Sequence, residues 1–237
     1  MSNEVRPMFT WIPLFRQITE KVLEYQNKRD DLTQKVNNAF QDAAGWETTA
    51  KSVQVDPFQL FACVGFRGGD REKGPELKIE WLQAHFDITV VAPEDHDGIP
   101  YGRFAPHWRE RPNGQVDVDK LWNLALAALE NNESDLIHYF DDCMENIKDY
   151  KKTRISYGLF LMRPDRYLPI NQAIIKFLDG HGISSFPSEW DVNKVTGANY
   201  LKYCSEVMDK LQSIYPVNTF PFISLVAQRE WSKNPNP

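Results

Sequence analysis

The chain is poor in the residues that announce chemistry. Its 237 residues hold three cysteines, Cys63, Cys143 and Cys204, far apart and with no CxxC pair. That excludes a disulfide framework and a thiolate zinc site, and it predicts a reduced cytoplasmic protein with buried thiols. No apolar run approaches ~18 residues and no signal-peptide core opens the chain, so neither a membrane span nor secretion is expected. The phosphate-loop pattern GxxxxGK[ST] occurs nowhere. The five histidines, His85, His96, His107, His138 and His181, never pair at i, i+4, which removes the helical zinc motif. Positive charge is also short. Lys and Arg total 27 against 33 Asp and Glu, a formal net charge of -6, so binding of nucleic acid by field alone is not expected.

What is present is an ordinary globular composition with abundant aromatics, 13% of the chain and seven Trp. Large aromatics build cores, and some build stacking pockets. The charge is uneven. Residues 115–150 carry nine acids against Lys120 and Lys148, whereas 151–180 carry Lys151, Lys152, Arg154, Arg163, Arg166 and Lys176 against Asp165 and Asp179.

Periodicity predicts helices over most of the chain. Pro13 suits a first helical turn, and Leu14, Ile18, Val22 and Tyr25 then share a face, continued by Leu32, Val36 and Phe40 after a break near Asp30. Asp56 is a cap for a helix from Pro57, with Gln59 closing a capping box. "PELKIEWLQAHF" and "VDKLWNLALAALE" read as helices, the second capped by Asp117 or Asp119. "SDLIHYFDDCMENI" is another, with Ser134 as cap and Asp141 and Asp142 on a solvated face. Asn171 caps "QAIIKFL", and Leu201, Cys204, Met208 and Leu211 line a further helix. "RISYGLFLM" fits a buried strand or a buried helix equally. "ITVVAP", around Ile88–Val91, reads as a short strand because β-branched residues favour it. The expected fold class is therefore mainly α, α+β in detail: a helical domain with a few short strands and a long irregular loop around 92–115. Residues 1–231 are expected to form one recognition-type domain, or alternatively two lobes, 1–115 and 116–231. Residues 232–237 read as a linker or truncation tail.

The long irregular stretch holds four prolines and three glycines. Within it "YGRFAPHWRERPNG" interleaves Arg103, Arg109 and Arg111 with Tyr101, Phe104, His107 and Trp108, against one acid, Glu110. Stacking rings among cations are what a nucleic-acid surface needs; the alternative is that Trp108 pins a loop to the core and the arginines are solvated. Arg67 and Arg71 lie in a second glycine-containing loop, "RGGDREKG". Arg163 and Arg166 flank Asp165 in "RPDRYLP", either an ion-paired turn or a phosphate contact. "DHD" at Asp95–Asp97, beside Gly98 and Pro100, is turn chemistry before it is a metal site. No catalytic residue and no cofactor is expected in this chain.

Several segments occurring in order carry a family resemblance: "FTWIPLFRQITEKVLEYQNKRDDL", "DPFQLFACVGFRG", "HDGIPYGRF…HW", "KLWNLALAALE" and "YGLFLMRPDRYLPINQAIIKFL". Together, from about Phe9 to Trp231, the chain resembles the N-terminal region of McrB-like subunits of modification-dependent restriction systems. The resemblance implies a target-recognition module for DNA with a modified base, set beside an AAA+ GTPase module, whose nucleotide motifs this chain lacks, and a McrC-like nuclease partner that docks on that module. Where such relatives often carry Asp, this chain has Asn171, which caps a helix equally well but cannot act as a general base. Tyr101, Arg103, Trp108, Arg109, Arg111, Arg67, Arg71, Arg163 and Arg166 are the candidate nucleic-acid contacts. The competing expectation is a protein–protein assembly module of the same kind of complex, in which the aromatics are core or interface anchors and no DNA is touched.

Overall fold

A computed structural model describes residues 8–42, 54–65, 79–100, 115–147, 152–183 and 195–233. Helices account for most of these residues: α1 (Ile12–Leu23), α2 (Arg29–Asp42), α3 (Pro57–Gly65), α4 (Ile79–Phe86), α5 (Gln115–Glu130), α6 (Glu133–Asn146), α7 (Lys152–Met162), α8 (Gln172–Gly180), α9 (Gly197–Leu211) and α10 (Thr219–Lys233). The protein is mainly α-helical, and no strand occurs among the described residues.

Local signals set several helix ends. Asp56 Oδ1 accepts from Gln59 N at 2.9 Å and opens α3, and Asn171 Oδ1 accepts from Ile174 N at 2.9 Å and opens α8. Each satisfies an N–H that the helix leaves without a partner. At the end of α5, Asn131 takes φ 58, and Asn132 N donates back to Ala127 O at 3.0 Å. Asn132 then caps α6 through Asp135 N. Two asparagines thus end one helix and start the next, which lays α6 back along α5.

Packing follows the apolar stripes. Leu14, Phe15, Ile18 and Val22 of α1 are buried with Trp11. Trp11, Trp122, Phe15, Phe58, Phe61, Phe140, Phe160, Tyr200 and Phe220 are all fully enclosed, each worth on the order of 2–3 kcal/mol of burial. One buried cluster runs from Trp11 to Ala227 and draws on every helix. Trp122 Nε1 donates to Val55 O at 3.1 Å across it. Helices approach closely where glycine allows it: a Cβ on Gly158 would meet the Phe58 ring, and one on Gly197 would meet the Ile137 backbone at 2.7 Å.

The structure corrects several expectations. Residues 88–91 are not a strand; Thr89 N and Val90 N instead donate to Gln17 Oε1 of α1 at 2.9 and 3.0 Å. One side-chain amide replaces the partner strand. α5 begins at Gln115, so Asp117 and Asp119 lie inside it rather than capping it, and Asp119 pairs with Arg29. Asn132, not Ser134, caps α6. Asp141 and Asp142 are not simply solvated: Asp141 accepts from Gly197 N at the start of α9, and Asp142 accepts from Lys120. The buried face of α9 is Tyr200, Tyr203, Cys204, Val207 and Leu211, with Leu201 and Met208 only half-buried. "RISYGLFLM" is helical, as α7.

Candidate functional site

The turn from Asp95 to Pro100 is an irregular segment fastened from several sides. Asp95 is buried. Its carboxylate accepts from Phe9 N at 3.0 Å, from Thr10 N at 2.9 Å and from Thr10 Oγ1 at 2.7 Å. It also accepts from Asp97 N at 2.9 Å, closing an Asx turn. Burial pushes this carboxyl up, but the bonds from Thr10, Asp97 and Phe9 outweigh it and hold the pKa below the ordinary value. Asp95 therefore ties the turn to the entry of α1, where Phe9 takes φ 60.

Further ties come from Trp11 at the entry of α1, from α7 and from α10. Trp11 Nε1 donates to Asp97 O at 2.8 Å. Gly98, at φ +80, packs on the Pro221 carbonyl of α10. Tyr157 Oη, buried in α7, donates to Pro100 O at 3.2 Å, and burial raises its pKa well above the ordinary value. Arg229 of α10 reaches Asp97 at 4.0 Å. His96 is half-buried, and its enclosed Nε2 has no hydrogen-bond partner among the described residues. Burial lowers its pKa, against the opposing pull of Asp95 and Asp97.

Pro100 is followed directly by Tyr101. Tyr101, Arg103, Trp108, Arg109 and Arg111, with Arg67 and Arg71, lie outside the described residues. Residues 101–114 follow the fastened turn in the chain, and the described fold resumes at Gln115, the first residue of α5.

Arg163 and Arg166 are brought together, at the far end of α5. Arg163 grips Asp165 with a two-toothed bond, Nε to Oδ1 at 3.0 Å and NH2 to Oδ2 at 2.8 Å. Its NH1 donates to Asn131 Oδ1 at 2.9 Å, and Arg166 NH1 donates to the same oxygen. Arg166 also lies 3.6 Å from Glu133. The Asp165 bond raises the Arg163 pKa; burial pushes the Asp165 carboxyl up, and Arg163 overrides it and holds it low. The two guanidiniums thus clamp the α5–α6 connection. α5 has 16 residues, about 24 Å of helix, so this pair stands a helix length from Gln115 where the 101–114 segment ends.

Among the described residues no group of three His, Cys, Asp or Glu side chains can hold a metal ion. Cys143 and Cys204 are buried. Burial pushes Cys204 up to about 12, which leaves it an unreactive thiol. No helix among the described residues is long and apolar enough to cross a membrane. The anchors Thr10, Trp11, Tyr157 and Pro221 gave no sequence signal, because each is more than 50 residues from what it holds.

No curated protein and no solved structure matches the chain. A family model does: residues 11–229, from the buried Trp11 to Arg229, match the one described as a domain of unknown function, DUF8425, and the chain belongs to that family.

Proposed function

We propose that this chain is a nucleic-acid recognition module, without catalysis of its own, that binds DNA carrying a modified base. In this reading it serves a cytoplasmic restriction-type phage-defence assembly of the McrB-like kind. An AAA+ GTPase module and a McrC-like nuclease supply nucleotide hydrolysis and cleavage there. The observation that supports it is the fastening of Asp95–Pro100 from α1, α7 and α10 immediately before Tyr101. Presenting a binding segment from a rigid base lowers the ordering cost of binding. An extruded base needs an aromatic wall and cations for the backbone around it. Trp108 or Tyr101 supplies the wall. Arg103, Arg109 and Arg111, with Arg67 and Arg71, hold phosphate, and Arg163 and Arg166 form a second patch.

A protein–protein assembly module is the competing reading. Ile214 and Val217, 62% and 74% exposed in the α9–α10 connection, favour it. Binding to short duplexes with and without a modified base, across a salt series, separates the two. A steep salt dependence with preference for the modified duplex is expected. Absence of binding at low salt sinks the recognition reading.

A further inference from the structure

α10 offers a cation to the same turn. Arg229 leans back along its own helix, the direction in which helical side chains point, and brings NH2 to 4.0 Å from Asp97 Oδ2. Its side chain is still 63% exposed. An exposed pair this long contributes little to stability. Arg229 makes no hydrogen bond among the described residues, so its guanidinium donors stay available beside the turn. Lys233 lies four residues on, on the same face, exposed and with no acid in ion-pair distance among the described residues. Lys176 is disposed differently: its Nζ sits over the Trp231 ring at 5.0 Å, on the other side of α10.

Cations in a last helical turn also answer the helix dipole. That explains Lys233. It does not explain Arg229, which leans away from the helix C-terminus and toward Asp97. Arg229, held only loosely by Asp97 at the fastened turn, and the exposed Lys233 one helical turn further along α10 thus present two cations on one helix face.

We propose that Arg229 and Lys233 form a phosphate-contact strip that holds the nucleic-acid backbone on the α10 side of the Asp95–Pro100 turn. The proposal rests on the recognition reading above and adds to it a contact that carries affinity without sequence or modification preference. Asp97 orients Arg229 toward the turn without neutralising it through a close bond.

The test uses the full chain, with Arg229→Ala, Lys233→Ala, the double variant and Arg229→Lys, titrated with modified and unmodified duplexes across a salt series. Each alanine is expected to reduce the slope of log K against log[salt] by about 0.9. Each is expected to lower affinity for both duplexes alike, about five- to tenfold at ~0.1 M salt, with the melting temperature unchanged. Arg229→Lys keeps the charge and the slope. Unchanged slopes in the alanine variants overturn the strip while leaving the recognition reading standing; a protein partner on this face would give that result. Losses that follow the melting temperature also overturn it. If the wild-type chain binds neither duplex, the recognition reading and the strip fall together.

Discussion

Gly98 and Pro221 meet without room for a side chain: a Cβ on Gly98 would overlap the Pro221 carbonyl oxygen. The same residue has φ +80, a region that non-glycine residues enter only with strain. Gly98→Ala therefore meets a backbone clash and a torsional cost together, and is expected to lose about 3 kcal/mol or more. Gly182 supplies the control, with φ +61 and, among the described residues, nothing within 4 Å of where its Cβ would stand; Gly182→Ala is expected to cost only about 1 kcal/mol. Urea midpoints of the two variants measure the difference. Equal losses would show that α10 yields at Pro221 and that the turn is not rigidly seated.

Acid should loosen the same turn in two steps. His96 has a folded pKa below its ordinary 6.5, because its ring is partly buried. Its contribution to stability is present above 6.5 and lost as pH falls from there through the folded value. Asp95 has a folded pKa below 3.8. Its contribution is present above that ordinary value and lost as pH falls through the depressed one. His96→Gln is expected to remove the upper step from a profile of stability against pH, and Asp95→Asn the lower. Asp95→Asn also costs about 1–3 kcal/mol at pH 7, since an amide cannot replace a carboxylate that accepts from Phe9, Thr10 and Asp97. A profile flat from pH 7.5 to pH 5 in the wild-type chain would show that His96 does not couple acid to the turn.

Features legible in the sequence are those whose cause lies within a few residues. Asp56 and Asn171 each cap an N–H three residues on, and the apolar stripe of α1 repeats at helical spacing. The features that sequence misplaces share the opposite property. "ITVVAP" has the β-branched residues of a strand, but what satisfies its backbone is Gln17, 72 residues away. Asp141 reads as solvated because its partner, Gly197 N, is 56 residues on. Periodicity shifts the face of α9 toward Leu201 and Met208, because tyrosines at 200 and 203 take the interior and polar-tipped rings count weakly in such a pattern. "DHD" is legible as a turn, but not as the anchor of α1, whose Thr10 is 85 residues away.

Tyr157 tests whether the fastening of Pro100 matters beyond stability. Tyr157→Phe removes one donor and leaves the Pro100 carbonyl buried without it, a loss of about 1–2 kcal/mol. Under the recognition reading, preference for the modified duplex falls as well, while the salt slope stays, because no phosphate contact is touched. Trp108→Ala is the companion variant. It is expected to lose the preference with an unchanged melting temperature; failure to fold would make Trp108 a core residue instead. Full preference in both variants would detach the turn and its aromatic segment from recognition.

The two readings of Arg163 and Arg166 diverge most at Asp165. As a clamp, Asp165 matters for holding Arg163 in place, and Asp165→Asn should cost at most about 1 kcal/mol because the Asp165 carboxylate is largely exposed. As a phosphate patch, Asp165 opposes binding: it occupies Arg163 Nε and NH2 and cancels one of two positive charges. Removing its charge then frees the guanidinium edge best shaped for phosphate, and duplex affinity should rise with a steeper salt slope. Arg166 would keep its bond to Asn131 in either case, so the geometry of the α5–α6 connection survives the substitution. Stability and salt slope, measured on this one variant, thus separate the two roles. A small loss of stability with an unchanged slope assigns both arginines to the clamp alone, and strikes Arg163 and Arg166 from the nucleic-acid contacts.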